Sequence, residues 1–417
     1  MAQLSDDCFA FGGTLLTVAA ALAEIEARVR PVVETETAPL PAAAGRILAR
    51  DLIATMNLPP HANSAVDGYA VAHADLMPDR ETVLPVTGRA AAGHPLDRTV
   101  RRGEAIRIFT GAPMPDGADT VMMQEDCVVE DGWVRLTPGI RKGANRRRAG
   151  EDIAEGEIAL SAGQRLRAPD LGLAAALGQR ELCVFRPLRV ALLSTGDEVR
   201  DPGAPLLPGA IYDANRFMLA GLLAGLGCAV SDLGIRPDHE AVLVDTLAAA
   251  RAQHDLIVTS GGVSTGEEDH VKSAVERLGS LHFWRLAIKP GRPVALGQVG
   301  GVPLIGLPGN PVAAVVTFVV LARPLIAKLA GATACDPRLF PVRAGFDYRK
   351  KPGRREYVRA RLERDGDAVV AVKCARDGAG ILSSIVRSDG LVILDEAASE
   401  LAVGSMVDFL PFSEVIG

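Results

Sequence analysis

Aromatic side chains make up only 4% of this 417-residue chain, and it has just six cysteines. Cys8, Cys127, Cys183, Cys228, Cys335 and Cys374 lie far apart with no Cys-x-x-Cys. That spacing supports neither a zinc cluster nor a disulfide framework, and suits thiols kept in a reducing compartment. Surplus positive charge is missing as well: the net charge of −6 provides no global field for nucleic acid. The longest apolar run, 312–322, is too short to cross a bilayer, and the stretch 15–23 follows acidic Asp6 and Asp7, not a basic leader. A cytoplasmic protein without membrane or nucleic-acid partners is expected. None of the seven histidines forms His-x-x-His or His-Glu-x-x-His, and there is no Walker lysine loop. Zinc-hydrolase and P-loop chemistries lose weight accordingly.

Glycine is plentiful, at 43 residues, and its placement is informative. Three glycine-bearing loops each follow an apolar β-type run: Ser194-Thr-Gly-Asp-Glu198, Ser260-Gly-Gly-Val-Ser-Thr-Gly-Glu-Glu-Asp269 and Gly306-Leu-Pro-Gly-Asn-Pro311. From residue 188 strand patterns alternate with helical ones. Strands are expected near 190–193, 229–234, 256–258 and 303–305, and helices at 214–226, 240–252, 270–278 and 311–329. This is the pattern of an α/β domain with a mainly parallel sheet. A chain of this length is expected to hold two to four domains. Residues 14–29 carry apolar side chains at helical spacing up to Pro31. Residues 55–140 read as a β-rich domain inserted into a discontinuous helical and linker domain (1–54 with 141–187). The α/β domain spans 188–335, and 336–417 form a second small β domain.

Parallel strands that end on such loops present backbone N–H groups to an anion, and acids at the loop tips hold a divalent cation. Asp197 and Glu198 repel one another unless a cation or hydrogen bonds compensate; magnesium coordination, nucleotide contact and a plain helix-capping turn all remain open. Gly261 and Gly262 admit a phosphate close to the backbone. Ser260, Ser264 and Thr265 add hydroxyls, and Glu267, Glu268 and Asp269 add three acids; a solvated acidic turn is the alternative. Lys289-Pro-Gly-Arg-Pro293 fixes Lys289 and Arg292 in a stiff turn suited to a tetrahedral oxyanion, or to an ordinary basic surface. The run Asn145-Arg-Arg-Arg148, followed by Gly150-Glu-Asp152, fits a charged linker better than a nucleic-acid site.

In order along the chain, seven stretches resemble one family, the molybdopterin molybdenumtransferases (the MoeA and gephyrin E-domain group). They are Asn63-Ser-Ala-Val-Asp-Gly-Tyr-Ala70, Ile108-Phe-Thr-Gly-Ala-Pro-Met-Pro115, Gly143 to Asp152, Ser194 to Glu198, Asp255 to Gly266, Lys289 to Pro293 and Gly306 to Val312. The resemblance implies an elongated four-part homodimer whose α/β domain has the molybdopterin-binding fold. It also implies Mg²⁺-dependent insertion of molybdate into adenylylated molybdopterin with release of AMP. Asp67 and Thr110 would then reach across from the partner subunit. Glu198, Asp238 and Asp269 would organise the anhydride and magnesium, with Glu198 and Asp269 as metal ligands. Gly196, Ser260, Gly261, Gly262, Ser264 and Asn310 would bind substrate, and Pro308 and Pro311 would shape the pterin-side loop. Lys289, Arg292, Arg359 and Ser388 would meet molybdate or phosphate. Further partners implied are the preceding adenylyltransferase and acceptor molybdoenzymes. Two alternatives are adenylylation of molybdopterin from ATP and a gephyrin-like scaffold without catalysis. Val66 for Met, Arg292 for Lys and Arg146 for an aliphatic residue depart from the family pattern, and the role of 145–152 stays open.

Overall fold

The computed structural model describes residues 15–261, 270–333 and 336–416. Cys8, Cys335, Gly262, Ser264, Thr265, Glu267, Glu268 and Asp269 lie outside them.

The α/β unit is built on six strands, numbered here β1 (Arg189–Thr195), β2 (Ala229–Arg236), β3 (Leu256–Ser260), β4 (Gly279–Arg285), β5 (Pro293–Val299) and β6 (Val302–Leu307). They are ordered β2-β1-β3-β6-β5-β4. The first four in that order are mutually parallel, and β5 and β4 are antiparallel additions. Residues Val190 to Thr195 are all buried, as expected where helices cover both faces of a sheet. Successive side chains divide between those faces. Val190, Leu192, Val258 and Ile305 enter one core with helices Asn215–Gly225 and Pro311–Thr317, whereas Ala191, Leu193, Ile257 and Leu304 enter another with Glu240–Gln253 and His270–Leu278. The expected strand and helix order is therefore present. Residues 311–329 run as one long apolar helix with a wider turn at Phe318–Ala322. This helix is long and apolar enough to cross a membrane, but it is largely buried inside the protein.

Helix Val18–Arg28 starts later than its apolar spacing predicts. Leu16 is drawn into a β-bridge with Leu286, and the Thr17 hydroxyl accepts from Ala20 N at 3.2 Å, capping the helix there. Its buried residues Val18, Ala21 and Ile25 pack with Phe318, Leu325 and Leu329. By packing, this helix goes with the α/β sheet, as do Val29, Val32 and Val33 just after it, and not with the core around Leu48 and Leu166.

The discontinuous unit is less helical than expected. Strands Thr35–Pro39, Ile47–Leu48 and Glu181–Phe185 form a three-stranded sheet beside helix Ala168–Ala176. Leu48, Leu166, Leu177 and Val184 make the core. The helix is obscured in sequence by Pro169 and Gly172, both poor helix formers, although Asp170 accepts from Arg167 N at 2.7 Å in a cap. Between the two halves lies a six-stranded sheet that contains Gly68–Val71, Thr82–Ala90 and Ala105–Ile108. A last six-stranded sheet includes Arg355–Asp365, Ala368–Lys373 and Gly390–Leu394. Its edge strand, Ile288–Lys289, comes from the α/β segment and pairs in parallel with Arg355–Glu356. That pairing carries Lys289 to the C-terminal sheet.

Candidate active site

At the carboxyl ends of β1, β3 and β6 a cavity of about 300 Å³ is lined by Ser194, Thr195, Glu198, Asn215, Ser260, Gly261, Gly309 and Pro311. An open parallel sheet places its ligand at this end. Gly196 adopts φ +137°, and a Cβ there would sit 2.6 Å from Glu198 Oε2. Only glycine lets the Glu198 carboxylate fold back over the turn. Gly261, at φ +83°, would set a Cβ 2.8 Å from Thr195 O, so two strand-end loops touch backbone to backbone. Asn215, not singled out from the sequence, ties a third loop to them: its Nδ2 donates to Ser260 Oγ at 2.9 Å and to Gly309 O at 2.7 Å. The residues before it are fixed by the buried Arg216, which donates to Asp213 (Nε–Oδ2 3.0 Å), Asp232 (2.5 Å) and Asp201. The only sequence signal was a polar Asp213-Ala-Asn-Arg216 opening an otherwise apolar helix.

Several polar atoms at this end of the sheet are buried with no hydrogen-bond partner among the described residues: Ser194 Oγ, Thr195 Oγ1, Thr259 Oγ1, Arg236 Nε and Asp238 Oδ1. Orphaned groups of this kind need an explanation, and a bound polar ligand supplies one. Burial pushes the Asp238 carboxyl up; His270 offsets part of this, while Asp197 and Glu198 add repulsion. No group of three metal-binding side chains occurs among the described residues. The carboxylate and hydroxyl oxygens at this end of the sheet are the donor type that a hard divalent cation takes alongside ligand oxygens and water.

A second cavity, about 390 Å³, is lined by Lys289, Pro308, Asn310, Tyr348, Glu356, Arg359, Gly378 and Ala379. Lys289 Nζ donates to the buried Glu356 Oε2 at 3.1 Å, and Tyr348 Oη donates to the same oxygen at 2.8 Å. Arg359 Nε donates to Ser384 Oγ at 3.1 Å. The two cavities share their walls: Pro308 and Asn310 face one and Gly309 and Pro311 the other, while 378–379 and 380–382 divide in the same way. Val312 N donates to Ala379 O at 2.9 Å and closes the partition.

The structure therefore brings together Glu198, Ser260, Gly261, Pro308, Asn310, Pro311, Lys289 and Arg359 around two adjoining cavities. Arg292 is exposed and outside the second cavity's lining. Ser388 instead donates to Ser384 O at 2.6 Å and lies 3.1 Å from Cys374 Sγ. Asp67 and Thr110 stand on the inserted sheet and line neither cavity. There the Thr110 backbone N–H and hydroxyl both donate to Asp67 Oδ1 at 2.7 Å, and these two bonds, with Arg107 nearby, hold the Asp67 carboxyl below its ordinary value.

A parallel α/β sheet with anion-receptive loops, flanked by a charged cavity that sets Lys289 and Arg359 beside Glu356 and Asp377, defines an enzyme that handles a phosphorylated or oxyanionic ligand. Residues 16–178 match the MoeA N-terminal region (domain I and II), 191–328 the probable molybdopterin binding domain, and 341–412 the MoeA C-terminal region (domain IV). The chain is 40% identical over 387 residues to the molybdopterin molybdenumtransferase of Haemophilus influenzae, covering 92% of this chain and 95% of that one. It is 36% identical over 398 residues to molybdopterin molybdenumtransferase 2 of Mycobacterium tuberculosis, covering 93% and 96%. A crystal structure of the molybdopterin biosynthesis MoeA protein of Pyrococcus horikoshii OT3 superposes with a TM-score of 0.82 at 28% identity, covering 95% of this chain and all of that one. The chain belongs to the molybdopterin molybdenumtransferase (MoeA) family, enzymes of molybdenum cofactor biosynthesis.

Proposed function

We propose that this protein inserts molybdate into adenylylated molybdopterin with release of AMP, and that it does so with Mg²⁺ as a homodimer in the cytoplasm. The observation that carries this reading is the pair of cavities with a common wall. One is lined by hydroxyls, glycine backbone and Glu198, suited to a phosphorylated pterin. The other presents Lys289 and Arg359 to a tetrahedral oxyanion. Molybdate bound against Arg359 and Lys289 stands across the partition from the nucleotide-bearing ligand, so orientation replaces a chance encounter between two anions. The Lys289 and Arg359 charges offset the approach of one anion to the other.

Glu198 and Asp238, together with Asp269, would hold the magnesium ion. A magnesium ion held by these carboxylates would supply positive charge to offset the phosphoanhydride oxygens. The chain's own groups do the positioning: Ser194 and Thr195 supply hydroxyls that lack partners, Asn215 keeps the strand-end loops in register, and Gly261 leaves room for a close backbone approach. We assign Asp67 and Thr110 to closing the site of the partner subunit; their place on the inserted sheet, away from both cavities, supports a half-site presented in trans. The Thr110 bonds keep Asp67 ionised, ready to accept a hydrogen bond from water or ligand. In this reading 1–54 with 141–187, 55–140, 188–335 and 336–417 are the four domains, and Arg292 and Ser388 act near the oxyanion cavity without lining it.

Asp67→Ala and Glu198→Ala are expected to leave a folded dimer, by sedimentation, and to abolish molybdate-dependent AMP release from adenylylated molybdopterin. Turnover like the wild type in either variant rejects the site assignment. Absence of AMP release by the wild-type protein would favour a scaffold role, and adenylylation of molybdopterin from ATP would favour the preceding step.

A further inference from the structure

On the inserted sheet, strands Thr82–Ala90 and Ala105–Ile108 run parallel with Arg89 in register with Arg107. Side chains in register on neighbouring strands project to the same face. Two guanidiniums are thus held side by side, an arrangement that costs stability unless something offsets the repulsion. Neither arginine has a carboxylate within ion-pair distance among the described residues. Arg107 spends its donors on neutral acceptors, Gly68 O at 3.1 Å and Gln124 Oε1 at 2.6 Å. Both are pinned by the same half-buried ring: each guanidinium carbon lies 4.7 Å from the Phe109 centroid, and that of Arg107 also lies 5.1 Å from the Tyr69 ring. Arg89 is exposed and stacks on Phe109. A flexible surface arginine is thereby given a fixed direction, which lowers the ordering cost of binding a ligand.

This pair sits one residue from the Asp67–Thr110 unit: Phe109 precedes Thr110, and the Arg107 charge acts on Asp67. Arg107 acts on the Asp67 carboxylate and reaches Glu125 through Gln124, whose Nε2 donates to Glu125 Oε1 at 3.1 Å; Arg89 adds a second guanidinium on the exposed face. From this we infer that Arg89 and Arg107, stacked on Phe109, form a diphosphate-binding clamp that grips the phosphoanhydride of a nucleotide-bearing ligand beside Asp67. A planar guanidinium pairs two phosphate oxygens at once, and two in parallel match adjacent phosphoryl groups. The inference rests on the proposed function and extends it, because it makes the inserted sheet a ligand-binding surface as well as a carrier of Asp67.

The test uses full-length protein at low ionic strength with ADP as the diphosphate probe and adenosine as the uncharged control, read by calorimetry. Arg89→Gln and Arg107→Gln are each expected to weaken ADP binding about tenfold or more, the value of one charge-assisted hydrogen-bonded contact, and to leave adenosine unchanged. Arg107→Gln gives up its bonds to Gly68 O and Gln124 Oε1 and should melt lower, whereas Arg89→Gln should melt like the wild type and so reads ADP affinity free of a fold effect; a purely structural pair would lose stability without losing ADP. Wild-type protein that fails to bind ADP at millimolar concentration overturns the inference, as does ADP binding within twofold of wild type in both variants. Molybdate-dependent AMP release, measured in parallel on the wild type, separates the cases. Release with unchanged ADP binding in the variants sinks the clamp alone, whereas no release sinks the functional reading.

Discussion

Asp255 provides the most quantitative test of how the α/β unit is held in place. It precedes β3, its side chain is fully buried, and it accepts five hydrogen bonds. Arg186 donates through Nη1 and Nη2 at 2.5 and 2.9 Å. Arg189 donates through its backbone N at 2.9 Å, Nε at 3.1 Å and Nη2 at 2.9 Å. The two arginines flank the short connection from strand Glu181–Phe185 into β1, so Asp255 clamps the entry of the chain into this sheet. Burial alone would raise its carboxyl, but the two guanidiniums outweigh it and hold it at about 2 against an ordinary 3.8. That difference corresponds to about 2.5 kcal/mol of stability at neutral pH. Asp255→Asn removes the charge, keeps the shape and turns an amide N–H₂ toward one guanidinium. Leaving buried cations unpaired usually costs about 3–5 kcal/mol, and the partial exposure of Arg189 puts the expectation near the low end, at about 3 kcal/mol. The readout is urea unfolding followed by Trp284, which is 2% exposed, in a Trp133→Phe background that leaves it as the single tryptophan. Because the folded-state value is depressed, the stabilisation is present above about pH 4 and fades as the pH falls toward 2; at pH 3 the gap between the two proteins should shrink by roughly half. A loss under about 1 kcal/mol at pH 7, or a gap as wide at pH 3 as at pH 7, would refute the reasoning.

Three further changes probe the site. Thr110→Val removes the hydroxyl bond to Asp67 and leaves the backbone one, so the Asp67 carboxyl should relax upward and the acid limb of the pH–rate profile should move to higher pH; an unmoved limb separates Asp67 from the titration. Asn215→Ala abandons Ser260 Oγ and the Gly309 carbonyl and should destabilise the protein by about 2 kcal/mol; limited proteolysis should cut the 308–311 loop faster than in the wild type, and equal rates would deny the tie its role. Glu356→Gln should raise the KM for molybdate about tenfold through loss of the Lys289 ion pair while kcat stays within about twofold; a change in kcat alone would point to a different function for Lys289.

What could be read in the sequence depended on whether the signal was local. β1 and helices 240–253 and 270–278 declared themselves by apolar runs and period, because burial on one or both faces writes directly into residue order. The glycine loops were equally legible, since Gly196 and Gly261 occupy backbone conformations and close approaches that few other residues tolerate. Asn215 and Arg216 escaped because their importance comes from partners far away in sequence, at 260, 309, 201 and 232. For the same reason the helix at 18–28 was legible as a helix but not in its choice of neighbour, which is settled by Phe318, Leu325 and Leu329 some 300 residues on. Arg292 looked equivalent to Lys289 in a five-residue turn; the Ile288–Lys289 strand pairing sends only Lys289 into the cavity.

The thin partition made by 308–311 and 378–382 carries an evolutionary consequence. Residues on its two sides alternate along the same short segments, yet each side chain answers to only one compartment. In the assignment proposed above, exchanging residues on the Lys289 flank would alter recognition of the inorganic cargo and leave the side chains that face the organic ligand in place. On that assignment the two specificities would be inherited separably, although both are written within the same few residues.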